Sequence, residues 1–318
     1  MIEILSSGAL NTVQDRGRRG LLSSGVSRSG AMDIQALDAA NALLGNDADA
    51  AAIEVAAFPF RLRFASATTV AVTGAVAETR LSGRRLPPWW AIAVKEGDEL
   101  TIDPPTVGAR VYVAIGGGVD VPLLLGARAT ELKSGYGGHE GRGLKRGDRL
   151  PVRRRAPGKL PDGGVGAPPP PGRSDADRPL RVLPAAEWSD FSEGAHQRFL
   201  SVGWRVTAEA DRQGCRLDGP ELMRERRREL LSHGIVPGTV QVPPAGRPIV
   251  QLAEANTCGG YPKIATVIEA DLWRLGQAMP GDELRFAVVG RNEALVAQRE
   301  VADWLGRLRR AASLYRVS

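Results

Sequence analysis

Short runs of β-branched and apolar residues recur along the chain, each bounded by Gly or Pro. They include TTVAVTG at 68–74, RVYVAIGGG at 110–118, TVQVP at 239–243, PIVQL at 248–252, KIATVIEA at 263–270 and ELRFAVVG at 283–290. Runs of this length with turn residues between them predict strands of barrels or sandwiches. The regular alternation of strand and helix that marks a doubly wound sheet is missing. The fold class expected is therefore mainly β with a few helices, in two β-rich domains. Helical spacing occurs in MDIQALDAANALLGN, with Asp33 placed to cap its start and Gly45-Asn46 to end it. It recurs near the C-terminus, where Ala294, Ala297, Val301, Trp304, Leu305 and Leu308 fall on one face and predict core packing.

One stretch breaks the apolar pattern. Gln241, Gln251, Asn256, Thr257 and Cys258 sit inside runs that otherwise read as buried strands. A buried amide without a partner costs roughly 1–3 kcal/mol. Either the protein supplies partners for these groups, or a polar, amide-rich ligand does.

Residues 153–179 have no apolar periodicity and are rich in Pro, Gly and charge. They read as a linker or long loop. The expected division is an N-terminal β-rich domain over 1–152, this linker, and a C-terminal β-barrel domain over 180–318 ending in an amphipathic helix.

Composition narrows the function. The chain has 318 residues, 43% of them hydrophobic and 25% charged, as in an ordinary globular protein. No apolar run reaches the roughly 18 residues needed to cross a bilayer. The first residues show no basic start followed by an apolar stretch, so a cytoplasmic location is expected. The net charge of +6 is scattered or lies in short Arg runs, and aromatics are only 5%, so no stacking platform for nucleic acid is expected. Two cysteines, Cys215 and Cys258, and three isolated histidines, His139, His196 and His233, give no metal-ligand spacing. There is no phosphate loop and no nucleophile elbow. None of the four methionines borders a lysine, so the Met-Lys-Met site for covalent biotin is absent.

Three polar, Gly-rich blocks remain. In TVQDRGRRGLLSSGVSRSGAMD (12–33), Gln14, Asp15 and Arg18 follow a short strand. Arg18 either grips a carboxylate or phosphate, or pairs with Asp15 to hold the turn. In ELKSGYGGHEGRGLKRGDRL (131–150), the glycines around Gly138, with Lys133 beside them, form either an anion nest or a series of tight turns. In CGGYP (258–262), Gly259 and Gly260 allow a ligand to approach the backbone closely.

These blocks are also the basis of a resemblance. TVQDRGRRG, SGAMD, AANALLGNDADAAAIE, GGGVDVP, LKSGYGGHEGRGLKRGDRL, RELLSHGIVPGTVQVPPAGRPI and GGYPKIATVIEADL occur in this order from about Gly8 to about Val289. Together they resemble the allophanate hydrolase subunit 2 family. That family is also described as biotin-dependent carboxyltransferase subdomains A and B, and as resembling the C subunit of 5-oxoprolinase. The resemblance implies cyclophilin-like β-barrel character. Where the family usually has Thr-Thr-Gly-Gly-Tyr-Pro, this chain has Cys258 for the second Thr, which loses a hydroxyl hydrogen bond.

The resemblance implies one component of an ATP-dependent 5-oxoprolinase, which opens pyroglutamate to glutamate. Its partners would be an allophanate hydrolase subunit 1-type protein (like the B subunit of 5-oxoprolinase) and a LamB/YcsF-type protein (like the A subunit of 5-oxoprolinase). ATP with Mg²⁺ would bind at a site shared with them. On this reading Gln251, the Gly259-Gly260 backbone and Tyr261 hold the lactam. Arg18 or Lys133 holds a carboxylate or phosphate, and His233 shuttles a proton. Gln14 and Asp15 line the substrate or shape a partner interface, and Gly138 and Cys258 border the substrate. Two alternatives share the resemblance. One is carboxyl transfer from carboxybiotin to a urea-like acceptor. The other is a non-catalytic regulator of a sporulation-type histidine kinase inhibitor.

Overall fold

A computed structural model of the chain describes residues 1–153, 160–173, 175, 177–226 and 229–315. It is mainly β, with a nearly closed, barrel-like sheet. By its internal contacts the chain divides into two compact units. The first comprises Met1–Arg18, Ser29–Pro171 and Ala302–Ser318, and the second Arg19–Arg28 and Gly172–Val301.

The first unit is built on an antiparallel sheet. Its main path runs Val165–Gly166, Trp90–Val94, Thr68–Leu81, Glu99–Ile115, Phe60–Phe64, Ile2–Ser6 and Arg149–Leu150. The long strands Thr68–Leu81 and Glu99–Ile115 pair along most of their length. In FRLRF, Phe60, Leu62 and Phe64 are buried while Arg61 and Arg63 are exposed, the period of two expected for a strand with one wet face. Each such buried aromatic contributes about 1.5–3 kcal/mol. Ala52–Val55 pairs with Glu99–Ile115 and with Thr12–Gln14, whose three residues are all buried.

Helix α1 (Ile34–Leu44) packs into this unit through its Ala and Leu residues, beside Ala71, Ala114 and Tyr112. Asp33 caps it as predicted, accepting from Ala36 N at 3.0 Å, and Gly45 ends it with φ 65°. The face predicted on the last helix is also found. Ala297, Trp304 and Leu308 are buried, with Ala294, Val301 and Leu305 partly so.

The second unit holds an eight-stranded sheet among the described residues. Its order is Glu283–Leu284, Trp204–Val206, Gly214–Asp218, Ile249–Gln251, Thr239–Gln241, Lys263–Val267, Leu180–Pro184 and Phe286–Val288. Only the last pair is parallel. The short strands His233–Gly234 and Cys258–Gly259 form a separate antiparallel pair. Two helices unmarked by the sequence pattern, α2 (Glu193–Ser201) and α3 (Leu272–Gln277), belong here. Phe199 of α2 stacks on Phe286 with ring centroids 4.6 Å apart. The chain's last helix, α4 (Arg291–Leu314), starts in the second unit and ends in the first.

The structure differs from the expected domain boundaries. The stretch read as a linker partly belongs to the first unit, which runs to Pro171. Residues 154–159, 174 and 176 of that stretch lie outside the described residues. Val165 is buried and pairs with Ala91, and Trp90 Nε1 donates to Gly163 O at 3.1 Å. Gly164 and Gly166 are needed there, because a Cβ on either would lie within 2.7 Å of the Trp90 indole. The end of α4, expected in a C-terminal domain, also joins the first unit. Trp304 and Leu308 are buried beside α1, and Trp304 Nε1 donates to Pro168 O at 3.3 Å.

Candidate functional site

The first cluster of chemistry lies in the first unit, where the strand Thr12–Gln14 ends. Asp15 holds the turn that follows. Its carboxylate accepts from Gly17 N at 2.8 Å and from Arg128 N at 2.5 Å, and its carbonyl accepts from Ala31 N. Gly17 has φ 78°, and a Cβ on Gly30 would lie 2.7 Å from Gly17 N, so two loops cross here through glycine. Burial pushes the Asp15 carboxyl above its usual value, against the two N–H donors and the charge of Arg18.

Gln14 and Arg18 attach to consecutive carbonyls. Gln14 Nε2 donates to Thr130 O at 3.1 Å and to Thr12 Oγ1 at 2.9 Å. Arg18 Nη2 donates to Ala129 O at 2.9 Å. The Tyr136 ring covers the guanidinium, 4.5 Å from Cζ to the centroid. Arg18 is only 2% exposed, and its Nε and Nη1 have no hydrogen-bond partner among the described residues. Gln14 Oε1 is likewise buried and unpartnered.

The Arg18–Asp15 ion pair considered from the sequence does not form. Asp15 attracts Arg18 through space but spends its oxygens on backbone N–H groups. A cation–π contact contributes about 0.5–2 kcal/mol, whereas burying a charge costs several. Tyr136 alone does not offset that cost, so the site is electrostatically suited to an anion.

The Gly-rich block forms tight turns against this cluster. Glu131 and Tyr136 bridge to each other, and Ser134 N donates to Glu131 Oε2 at 2.6 Å. Gly138 lies on Thr130: a Cβ there would be 1.8 Å from Thr130 Oγ1. Lys133 is exposed on the same turn. Arg142 grips Asp148 through Nη1 and Nη2 at 2.8 and 3.0 Å. Burial raises the Asp148 carboxyl, but that fork, the Lys145 N–H and the nearby positive charges outweigh it and hold it below its usual value.

The second cluster lies in the second unit, around the CGGYP turn. Lys263 is buried, and its Nζ donates to Gly259 O at 2.6 Å and contacts His233 Nδ1 at 3.2 Å. His233 Nε2 lies 3.6 Å from Glu187 Oε1, while Glu187 Oε2 accepts from Lys263 N at 3.0 Å. Burial pushes the Lys263 amine below its usual value, opposed by Glu187 and Cys258. Gln241 is opposite Lys263 in register, and its buried Nε2 has no partner among the described residues. A Cβ on Gly259 would lie 2.7 Å from that nitrogen.

The predicted residues thus separate into two groups. Gln14, Asp15, Arg18 and Gly138 meet around Ala129 and Thr130. His233 and Gly259 meet at Lys263. Gln251 is buried in the sheet, where its carbonyl accepts from Gly238 N at 2.7 Å. Tyr261 is 48% exposed, and no hydrogen bond joins it or Gln251 to His233 among the described residues. Gly260 packs beside Leu230 O and Ser232 Oγ. Asn256 and Cys258, read as part of a buried run, are exposed: the ladder ends at Gln251, and the chain reaches the surface after the buried Leu252, Glu254 and Ala255. Sequence reasoning missed Tyr136, Glu187 and Lys263 as site residues. Only Lys263 carried a local signal, its place beside GGYP.

Residues 24–288 match the family model described as carboxyltransferase domain, subdomain A and B. The chain belongs to this carboxyltransferase-domain family. One relative is the C subunit of 5-oxoprolinase from Escherichia coli (strain K12), 41% identical over 300 residues, which cover 94% of this chain and 95% of that protein. The C subunit of 5-oxoprolinase from Haemophilus influenzae is 37% identical over 310 residues, covering 98% of both chains. Among solved structures, the urea amidolyase of Kluyveromyces lactis superposes with a TM-score of 0.87 at 29% identity. The match covers 95% of this chain and 20% of that one, so this family member spans about a fifth of the urea amidolyase. Among the described residues no helix is long and apolar enough to cross a membrane. No three His, Cys, Asp or Glu side chains among them are grouped to hold a metal ion.

Proposed function

We propose that this chain is one component of a multi-subunit, ATP-dependent hydrolase that opens 5-oxoproline to glutamate in the cytoplasm. The observation that carries the reading is near-full-length identity of 41% to a protein named as the C subunit of 5-oxoprolinase. The partners are an allophanate hydrolase subunit 1-type protein and a LamB/YcsF-type protein.

ATP would supply the phosphoryl group that activates the lactam carbonyl. The unpartnered Arg18 nitrogens fit an anionic oxygen of substrate or phosphate. Mg²⁺ would neutralise the phosphates of bound ATP, and no step is assigned to it on this chain. Lys133 and Gly138 lie on the turn beside Arg18 in the first unit, while Gln251, Cys258, Gly259, Gly260 and Tyr261 lie in the second. His233 would carry a proton in the reaction, with Lys263 Nζ 3.2 Å from its Nδ1 in the second unit.

The test is glutamate and ADP formation from 5-oxoproline and ATP, with this chain alone and then with both partners. Turnover in the full mixture, lost when this chain is omitted, is the expected result. A properly assembled mixture without turnover would sink the proposal. The likeness to urea amidolyase favours a second reading, carboxyl transfer from carboxybiotin to a urea-like acceptor. Carboxylated product made with a separate biotin carboxylase and carrier would select it.

A further inference from the structure

Buried polar atoms almost always find partners, and those that do not call for an explanation. The first unit holds three in one neighbourhood: Gln14 Oε1, Arg18 Nε and Arg18 Nη1. Their side chains are 0% and 2% exposed and are anchored on the adjacent carbonyls of Thr130 and Ala129. One acceptor and two charged donors are therefore held in place without a partner among the described residues. Nε and Nη1 face different edges of the planar guanidinium. They suit two acceptor groups better than one forked carboxylate.

A single turn covers the Arg18 guanidinium and the Ala129 and Thr130 backbone on which Gln14 is anchored. Tyr136 lies on the guanidinium face, and Gly137 and Gly138 seat their backbone against it. A Cβ on Gly137 would be 2.5 Å from Arg18 Nη2 and 2.2 Å from Ala129 O. Gly135, Gly137 and Gly138 all have left-handed φ, between 55° and 71°. The turn is held at its start by the Glu131 bridge, while Tyr136 itself is only half-buried. An aromatic face is a weak substitute for an anion, and a ligand that reaches Arg18 can displace it.

We propose that Gly135–Gly138 is a lid over a polar pocket, with Tyr136 as its plug, and that the pocket takes a small carboxylated cyclic amide. The carboxylate and the ring carbonyl would accept from the two free edges of Arg18, and the ring N–H would donate to Gln14 Oε1. Three unpartnered atoms meet three polar groups. The ligand class rests on the function proposed above, whereas the lid rests on the geometry alone. Tyr136 is a specificity-determining residue in this arrangement and performs no chemistry.

The test is calorimetric titration of the chain alone, and of the chain mixed with its partners without ATP. The probes are 5-oxoproline, 2-pyrrolidinone, which lacks the carboxylate, and acetate, which lacks the amide. Tyr136→Ala removes the competing ring and should tighten 5-oxoproline about threefold to tenfold, while Tyr136→Phe should match the wild type. Gln14→Leu should weaken both lactams by about tenfold and leave acetate unchanged. If that variant does not fold, Gln14→Met serves. Hydrogen exchange at the Gly137 and Gly138 amides should quicken when 5-oxoproline is added.

A gain in affinity separates a plug from a merely structural tyrosine, whose loss would only weaken binding. Weaker or unchanged binding in Tyr136→Ala, or no binding of any probe to either sample, overturns the lid. Ring opening by the mixture with KM unaffected in Tyr136→Ala and Gln14→Leu would overturn the lid and leave the proposed function standing. Acetate bound more tightly by Tyr136→Ala, in a mixture that opens no ring, would keep the lid and overturn the ligand class.

Discussion

The guanidinium of Arg18 lies against the face of Tyr136, 4.5 Å from Cζ to the ring centroid, with no carboxylate among the described residues bonded to it. The two residues are held by different loops, one after the strand Thr12–Gln14 and one inside the Gly-rich block. A buried cation covered by an aromatic ring is a poor arrangement for stability alone, and that gives the first prediction.

Arg18→Met removes the buried charge and keeps the side-chain length. Its expected effect is a stability gain of about 1–3 kcal/mol, with activity in the reconstituted mixture falling at least about 100-fold. Denaturant midpoints and turnover measured together check this. Loss of stability alongside loss of activity would mark Arg18 as structural.

Gly138→Ala should destabilise by about 2–5 kcal/mol, from left-handed strain plus the clash with Thr130 Oγ1. Gly135 has a similar φ but open space around it, so Gly135→Ala should cost only about 1–2 kcal/mol. Thermal melting of the pair separates strain from contact.

Asp148 governs an acid limb. Its folded carboxyl is held low by Arg142 and the Lys145 N–H against the opposing effect of burial. The stability it contributes is full above the unfolded value, about 3.9, and is lost as pH falls through the lower folded value. Wild-type midpoints should therefore drop below about pH 4, and Asp148→Asn should flatten that drop while lowering the neutral-pH midpoint.

Lys263 governs the alkaline side. Burial lowers its amine, so the folded state binds the proton less tightly than the unfolded chain. Its contribution is full above the unfolded value, about 10.4, and is lost as pH falls toward the folded one. The wild type should gain stability on going from about pH 7 to about pH 10, relative to Lys263→Met. The same variant should slow ring opening by about tenfold or more, read as kcat rather than KM.

Sequence signals are legible where the physics is local. Asp33 and Gly45 mark the ends of α1 because caps act within four residues. The face containing Ala297, Trp304 and Leu308 was visible because helical period is a short-range property. Arg18 and Tyr136 meet across more than a hundred residues, and no periodicity records that. Glu187, His233 and Lys263 come from three separate stretches, so their meeting at Gly259 was not visible either. Val165 was missed for a different reason. One buried strand residue among prolines and glycines carries too little apolar signal, and its partner, the Trp90–Val94 strand, lies far back in the chain.

The shared helix α4 has a consequence for synthesis. The first unit contains the N-terminus, yet Trp304 and Leu308 complete its core. At about 5–20 residues per second, the ribosome delivers those two side chains only after the whole of residues 172–301 has been made. Until then the nascent N-terminal sheet carries an uncovered apolar patch over α1. Synthesis of α4, rather than emergence of residues 1–171, is the moment at which the first unit can complete its core.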